Sequence, residues 1–263
     1  MERIDKLLSH EGFGSRKDIK RLLRTEDVFV NNTQIFDPGF LINPESDILK
    51  INEEQIDLHQ NIYLMMNKIE NTVCSNKDGE HETVFDLLDE KYHTPYLQEH
   101  LHIVGRLDID TEGLLLFTTD GALTHRLISP KSHVTKTYLC ILEKNETEQS
   151  RKNIEAQFEK GIIIPPEDND DEVQCLPASV TWPSEKEIQK HLVNSSYKGN
   201  IPDAALLTIF EGKYHQVKRM FRAVNNKVIF LKRITTGSLK LAPSLSPGEY
   251  RELTKDEILS LVK

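Results

Sequence analysis

Between Ile103 and Phe117 the chain reads apolar, then polar, then apolar, with a glycine at each rim of the polar part. The run is Ile103-Val104-Gly105-Arg106-Leu107-Asp108-Ile109-Asp110-Thr111-Glu112-Gly113-Leu114-Leu115-Leu116-Phe117. An apolar approach and an apolar departure predict two buried elements, and Gly105 and Gly113 mark places where unusual backbone angles are expected. A fold that accepts this segment must carry Asp108 on a short loop between rigid strands. From residue type alone the two loop aspartates fit either of two jobs: capping turns, their usual work, or chemistry. Phosphotransferases with a paired aspartate follow Asp-x-Asp-x-Thr/Val; here Glu112 stands at the fifth position and the pattern fails. A Mg-dependent pair of carboxylates stays open on residue type but has no third acidic ligand at a suggestive position. No metal site is assigned.

The apolar run Ile62-Tyr63-Leu64-Met65-Met66-Asn67 suits a buried strand. Beyond it, strand and helix patterns mix without regular alternation, so the expected class is α+β with a mixed, largely antiparallel sheet rather than a doubly wound one. A chain of 263 residues suits one large domain or two. No apolar run approaches the roughly 18 residues of a membrane span. The charged start, Met1 to Lys6, lacks the apolar segment of a signal peptide. Cys74, Cys140 and Cys175 are far apart and odd in number, which fits neither a disulfide framework nor zinc spacing. These features lead to the expectation of a cytoplasmic protein with no membrane partner.

The net charge of −9 argues at first against a nucleic-acid partner. Its distribution argues the other way. Residues 1–24 carry seven Lys and Arg against four Asp and Glu, and residues 206–240 carry eight against one. In the first island, Ile4, Leu7 and Leu8 predict a helix over Arg3 to His10, ended by Gly12 and Gly14. Ser15 and Asp18 have the spacing of a capping box opening a second helix, Arg16 to Arg24, that buries Ile19, Leu22 and Leu23. At about 100° per residue, Arg16, Lys20, Arg24, Lys17 and Arg21 fall on one arc beside that apolar face. The arc reads as a solvated face or as a row of phosphate contacts, and five adjacent cations favour the second. Val28 and Val30, a turn at Asn31-Asn32, a return over Thr33 to Phe36, and Ile42 and Ile48-Leu49 around Pro44-Glu45-Ser46-Asp47 predict a small sheet. Residues 1–58 thus form one module. The polar stretch Glu54 to Asn61 serves as a linker, and residues 62–263 form a second domain. The acidic run from Glu167 to Glu172 is expected to be a solvated loop without function.

Two further segments matter. Lys136-Thr137-Tyr138-Leu139 opens a strand. The run Leu207-Thr208-Ile209-Phe210-Glu211-Gly212-Lys213-Tyr214-His215-Gln216-Val217-Lys218-Arg219-Met220-Phe221 reads as a strand ending at Gly212, then a basic helix. Alone, that helix could be merely basic surface, Tyr138 a core tyrosine and His215 a structural histidine.

In order and spacing, these segments resemble the pseudouridine synthases. Gly105 to Leu114 resembles the catalytic motif, Lys136-Thr137-Tyr138 the tyrosine motif, Glu211 to Phe221 the late basic motif, and Pro247-Gly248-Glu249-Tyr250-Arg251-Glu252-Leu253 the family's ending. The N-terminal module resembles an S4 RNA-binding domain through Arg3-Ile4-Asp5-Lys6-Leu7-Leu8, Gly14-Ser15-Arg16 and Val28-Phe29-Val30-Asn31. Within the family the likeness is to the branch acting on small-subunit (16S) ribosomal RNA, partly through Val73-Cys74-Ser75. Where the family has Lys-Pro-x-Gly after the first catalytic-domain strand, this chain has Lys68-Ile69-Glu70-Asn71, and the rigid loop is expected to be lost.

The resemblance implies an isomerase that needs no cofactor, since the uracil is detached, rotated and rejoined through C5 without a redox step. It implies Asp108 as the essential carboxylate, Lys218 as its basic partner, and Tyr138 as a stacking ring or proton carrier. It places Arg106 beside the vacated base or a phosphate. Arg16, Lys17, Lys20, Arg21, Arg24, Lys213 and Arg219 are then candidate RNA contacts. The expected partner is ribosomal RNA, free or in an assembly intermediate, bound by a monomer. The alternatives are a synthase for large-subunit RNA and a non-catalytic ribosome-assembly factor.

Overall fold

The computed structural model describes residues 1–262 except Glu45, Asp57, His59 and Gln60. Glu45 of the expected turn and three positions of the expected linker therefore lie outside the described residues. The chain divides into two compact units.

The first unit comprises Met1–Tyr63, Leu88–His102 and Phe117–Asp120. It starts with helices α1 (Ile4–His10) and α2 (Arg16–Thr25). At the start of α2 the Asp18 N–H donates to the Ser15 hydroxyl oxygen (3.3 Å) while the Asp18 carboxylate accepts from the Ser15 N–H (3.0 Å), the reciprocal box read from sequence. Ile19 and Leu23 are buried, Leu22 only half so, and Arg16, Lys17, Lys20, Arg21 and Arg24 are all exposed. A four-stranded sheet follows, in the order Thr33–Gln34, Val28–Val30, Leu49–Ile51, Glu54–Ile56. Its first hairpin turns on Asn31 and Asn32, both at positive φ (48° and 68°), the double left-handed geometry that matches strand twist. Ile4, Leu7, Leu8, Ile19, Leu23, Val28 and Leu49 close one core. Helix α3 (Pro95–His100) belongs to this unit, and its Tyr96 hydroxyl lies 2.8 Å from Nε2 of His10 on α1.

The second unit is built on a mixed sheet in the order Ser179–Thr181, Asp203–Ile209, Lys136–Leu142, Val228–Thr236, Thr111–Thr118, Tyr63–Lys68, Tyr250–Glu252. The first four pair antiparallel in sequence of neighbours, as do Tyr63–Lys68 and Tyr250–Glu252. Val228–Thr236 runs parallel to Thr111–Thr118, with Gly113 opposite Arg233. A Cβ on Gly113 would sit 2.2 Å from the Arg233 carbonyl oxygen, so this close approach, at φ 105°, admits glycine alone. Helices α4 (Gly121–Ile128), α5 (Glu148–Glu159), α6 (Glu185–Leu192), α7 (Gln216–Ala223) and α8 (Lys255–Val262) complete the unit.

The central strands are largely apolar because both faces are covered. From Lys136–Leu142, Tyr138, Cys140 and Leu142 join a core with Phe158 of α5 and Val217, Met220 and Phe221 of α7. Leu139 and Ile141 face the other way, onto Ile188 of α6, Phe230 and Ile234. The α+β class read from the sequence is the architecture found. Among the described residues no helix is long and apolar enough to cross a membrane, and no group of three His, Cys, Asp or Glu could hold a metal ion.

Candidate active site

The loop Gly105–Asp110 feeds the strand Thr111–Thr118. Gly105 turns at φ 74°, and the buried Leu107 plugs into the main core, its N–H donating to Sγ of Cys74 at 3.4 Å. With Leu107 committed inward, Asp108 faces a cleft of about 80 Å³ lined by Arg106, Thr111, Tyr138, Lys213, His215 and Val217, among others. The carboxylate is supported by the first turns of α7: Nζ of Lys218 donates to Oδ2 of Asp108 at 2.9 Å and to Oδ1 of Asp110 at 2.5 Å. Burial alone would push the Lys218 ammonium down, but its bonds to the two aspartates outweigh that and hold it above the ordinary lysine value. The pair is only part-buried, with side-chain exposures of 29% for Asp108 and 18% for Lys218.

A second lysine holds the loop from behind. Lys68 is fully buried, and its Nζ donates to the carbonyls of Ile69 (3.0 Å), Ile109 (3.2 Å) and Thr111 (3.0 Å). The departure at Lys68-Ile69-Glu70-Asn71 does not loosen this loop, contrary to the expectation from sequence. Asn71 stands where the family has glycine and takes a positive φ of 66°, which asparagine tolerates better than most side chains. Its N–H donates to the Ile109 carbonyl at 2.8 Å, and the Thr72 hydroxyl caps Ile69 at 2.8 Å. The missing proline is replaced by hydrogen bonds.

Tyr138 lies on the strand Lys136–Leu142, almost buried, with its ring in the core and one edge on the cleft. Its hydroxyl makes no hydrogen bond among the described residues. Arg106 is exposed at the cleft mouth, and Lys213 is half-buried there, its ammonium donating to Glu211. Arg219 departs from the reading as an RNA contact. It is 1% exposed, and its guanidinium donates to the carbonyls of Pro165 (2.7 Å), Tyr214 (3.0 Å) and Asp171 (2.7 Å). Buried among these carbonyls, the guanidinium is withdrawn from phosphate.

Those carbonyls add to the reading of the acidic run. Residues 168–172 are exposed, as a solvated loop would be, but the run is tethered rather than free. Arg219 anchors it on α7, Arg222 donates to Glu167 at 3.1 Å, and the Tyr214 hydroxyl donates to Asp168 at 2.7 Å. Sequence reasoning missed Glu167 and His215 as site residues. A run of acids is normally solvated, and the available signal was the excess of cations and aromatics in the 213–222 motif, which needs anionic partners once buried.

Comparison with known proteins agrees with this geometry. Residues 62–223 match the family described as RNA pseudouridylate synthase. The chain is 40% identical over 258 residues to the uncharacterized RNA pseudouridine synthase YtzG of Bacillus subtilis, covering 97% of this chain and 96% of the relative. It is 37% identical over 260 residues to ribosomal small subunit pseudouridine synthase A of Escherichia coli, covering 99% and 100%. The crystal structure of a pseudouridylate synthase, 34% identical, superposes with a TM-score of 0.60 over 99% of this chain and 100% of that one. With Asp108 and Tyr138 lining one cleft, Lys218 bonded to Asp108, and likeness along nearly the whole chain, this protein belongs to the RNA pseudouridine synthase family.

Proposed function

We propose that this chain isomerises a uridine of small-subunit (16S) ribosomal RNA to pseudouridine, with Asp108 as the essential carboxylate. The observation that carries the reading is the Asp108 carboxylate facing a cleft shared with Tyr138 while Lys218 binds one of its oxygens. A carboxylate can open this reaction by adding to the base, attacking the sugar or taking a sugar proton. Each route needs an ionised oxygen within reach, and the Lys218 ammonium lies 2.9 Å from Oδ2 to balance its charge. The base must leave its stack to arrive there, at a cost of roughly a few kcal/mol. A ring such as Tyr138 returns roughly 1–3 kcal/mol by stacking. The unbonded Tyr138 hydroxyl supports a second task, removal of the C5 proton after the new bond has formed. The small-subunit target is supported by the names of the relatives from Escherichia coli and Vibrio cholerae. A cytoplasmic monomer acting on ribosomal RNA, free or within an assembly intermediate, completes the reading, with the first 58 residues as an S4-like module for affinity.

The test is release of tritium from 5-tritiated uridine in ribosomal RNA, joined to pseudouridine mapping in both ribosomal RNAs after deletion of the gene. The expected result is enzyme-dependent release and loss of a small-subunit modification. Loss from the large subunit instead would move the target, and no release would favour a non-catalytic assembly factor. In single turnover on the same RNA, Tyr138→Phe should cleave the glycosidic bond but stall before pseudouridine. Wild-type product formation would leave the ring with packing or stacking alone.

A further inference from the structure

The acidic run places two consecutive carboxylates on two consecutive residues at the start of α7. Its tip is a tight turn, in which Glu167 and Asp170 exchange both backbone hydrogen bonds at 2.9 Å and Asp168 sits at φ 52°. Asp168 accepts from the Tyr214 hydroxyl at 2.7 Å, and the Tyr214 ring stacks on the His215 ring with centroids 3.8 Å apart and 20° between planes. The bond to Asp168 and then burial push Tyr214 up to about 12, so it stays a neutral donor at neutral pH. His215 is itself left-handed, φ 46° and ψ 29°, a conformation that a non-glycine residue keeps only when its surroundings hold it. The ring so held lies between two carboxylates: Nδ1 is 3.5 Å from Oε2 of Glu167, and Nε2 is 3.9 Å from Oδ1 of Asp108.

The two oxygens of Glu167 have different surroundings. Oε1 accepts from Arg222 at 3.1 Å, whereas Oε2 is buried without a hydrogen bond, and the imidazole Nδ1 faces it. A buried carboxylate oxygen left without a donor is costly, and a small rotation of the His215 ring supplies one. We propose that Glu167 is a positioning residue for the reaction: its buried Oε2 accepts a hydrogen bond from Nδ1–H of His215 and so fixes the ring with Nε2 toward Oδ1 of Asp108. When both ring nitrogens carry a proton, Nε2–H points at Oδ1 of Asp108, whose Oδ2 is held by Lys218. This inference rests on Asp108 being the reacting carboxylate. The charged and titratable groups around the ring are Asp108 from the catalytic loop, Glu167 and, through Tyr214, Asp168 from the acidic turn, Lys218 and Arg222 from α7, and Arg106 and Lys213 at the cleft.

The test uses the full chain carrying Glu167→Gln, His215→Gln, and both changes. Single-turnover pseudouridine formation should slow by roughly tenfold or more in E167Q, as expected when a reacting group is misplaced, while the Kd for the RNA stays unchanged. The double variant should be no slower than H215Q alone. Nitrogen-15 spectra of histidine-labelled wild type, with His215 assigned by its absence in H215Q, should show a proton on Nδ1 that E167Q loses. Full-rate turnover by E167Q, additive losses in the double variant, or an unprotonated Nδ1 in wild type would each overturn the proposal. E167Q that binds RNA more tightly at unchanged rate would instead make the acidic turn a phosphate-repelling wall, and would overturn it too. The spectra need no turnover, so they report on the pairing of Glu167 with His215 even if the protein releases no tritium.

Discussion

The two basic islands of this chain look alike in the sequence and do different work in the fold. On α2, Arg16, Lys17, Lys20, Arg21 and Arg24 are all exposed; Arg21 leans to Asp18 of its own helix at 3.9 Å. In the late island four of the eight cations turn inward. Lys218 binds two aspartates, Arg219 binds three carbonyls, and Nε of Arg233, 3% exposed, donates to the Leu114 carbonyl at 2.7 Å. Lys232 is 2% exposed and donates to the Asn194 carbonyl, and burial pushes its ammonium down to about 8. Charge counting therefore finds both islands and misjudges the second. An exposed cation remains available to a phosphate, while one that donates inside the protein organises a site. The comparison predicts a clean division: α2 variants change RNA affinity, and late-island variants change chemistry or folding.

The largest effect is expected at the carboxylate that the late island serves. Asp108→Asn keeps the shape and removes the ionised oxygen, so turnover should fall by at least roughly 10³-fold. RNA affinity measured by filter binding should change little; a matching drop in affinity would break the division between the islands. Next is Arg219→Met, which keeps much of the side-chain volume but leaves three carbonyls without their donor. Leaving such groups unsatisfied should destabilise the protein by about 3 kcal/mol, seen as a lower urea midpoint. The salt dependence of RNA binding by the folded fraction should not change. A reduced salt slope would mean that Arg219 reaches phosphate after all.

Legibility in the sequence follows distance along the chain. The capping box at Ser15 and Asp18, the Asn31-Asn32 turn and the apolar faces of α1 and α2 are set by residues within one turn of each other, and sequence shows them directly. The catalytic loop was legible because Gly105 and Gly113 bracket it. The partners of that loop come from far away: Lys68 reaches the carbonyls of Ile109 and Thr111, and Glu167 reaches His215 across 48 positions of chain. No local pattern encodes such pairings. One local clue did bear on the loop, since Asn71 occupies a glycine position as the side chain best suited to φ above zero.

Lys218→Met should come third. The Asp108 pair is part-buried, so the loss should lie below the roughly 3–5 kcal/mol of a fully buried pair; about 2 kcal/mol is expected, near thirtyfold in rate. The measurement is single-turnover pseudouridine formation, and a wild-type rate would show that the Lys218 bond to Asp108 is dispensable for the chemistry.

The smallest effect, and the sharpest on the other side of the comparison, belongs to α2. Arg16, Lys20 and Arg24 lie on adjacent positions of its exposed arc, and none is needed for the core formed by Ile19 and Leu23. Arg16→Ala, Lys20→Ala and Arg24→Ala together should leave thermal stability nearly unchanged, because exposed charges contribute little to folding. Removing one cation from a phosphate should flatten the dependence of log Kd on log salt by about 0.9 for duplex RNA treated like B-DNA and about 0.7 for single strands. The triple variant should therefore reduce the slope by roughly two to three, and weaken binding by about tenfold at moderate salt. Turnover at saturating RNA should hold, since Asp108, Tyr138 and Lys218 are untouched. If the slope stays the same, the stripe is a solvated face, and the RNA is held by the exposed cations that the late island has left, together with Arg106 at the cleft mouth. If turnover at saturation falls with affinity, the stripe contributes to presenting the target base, and the division between binding island and chemical island fails.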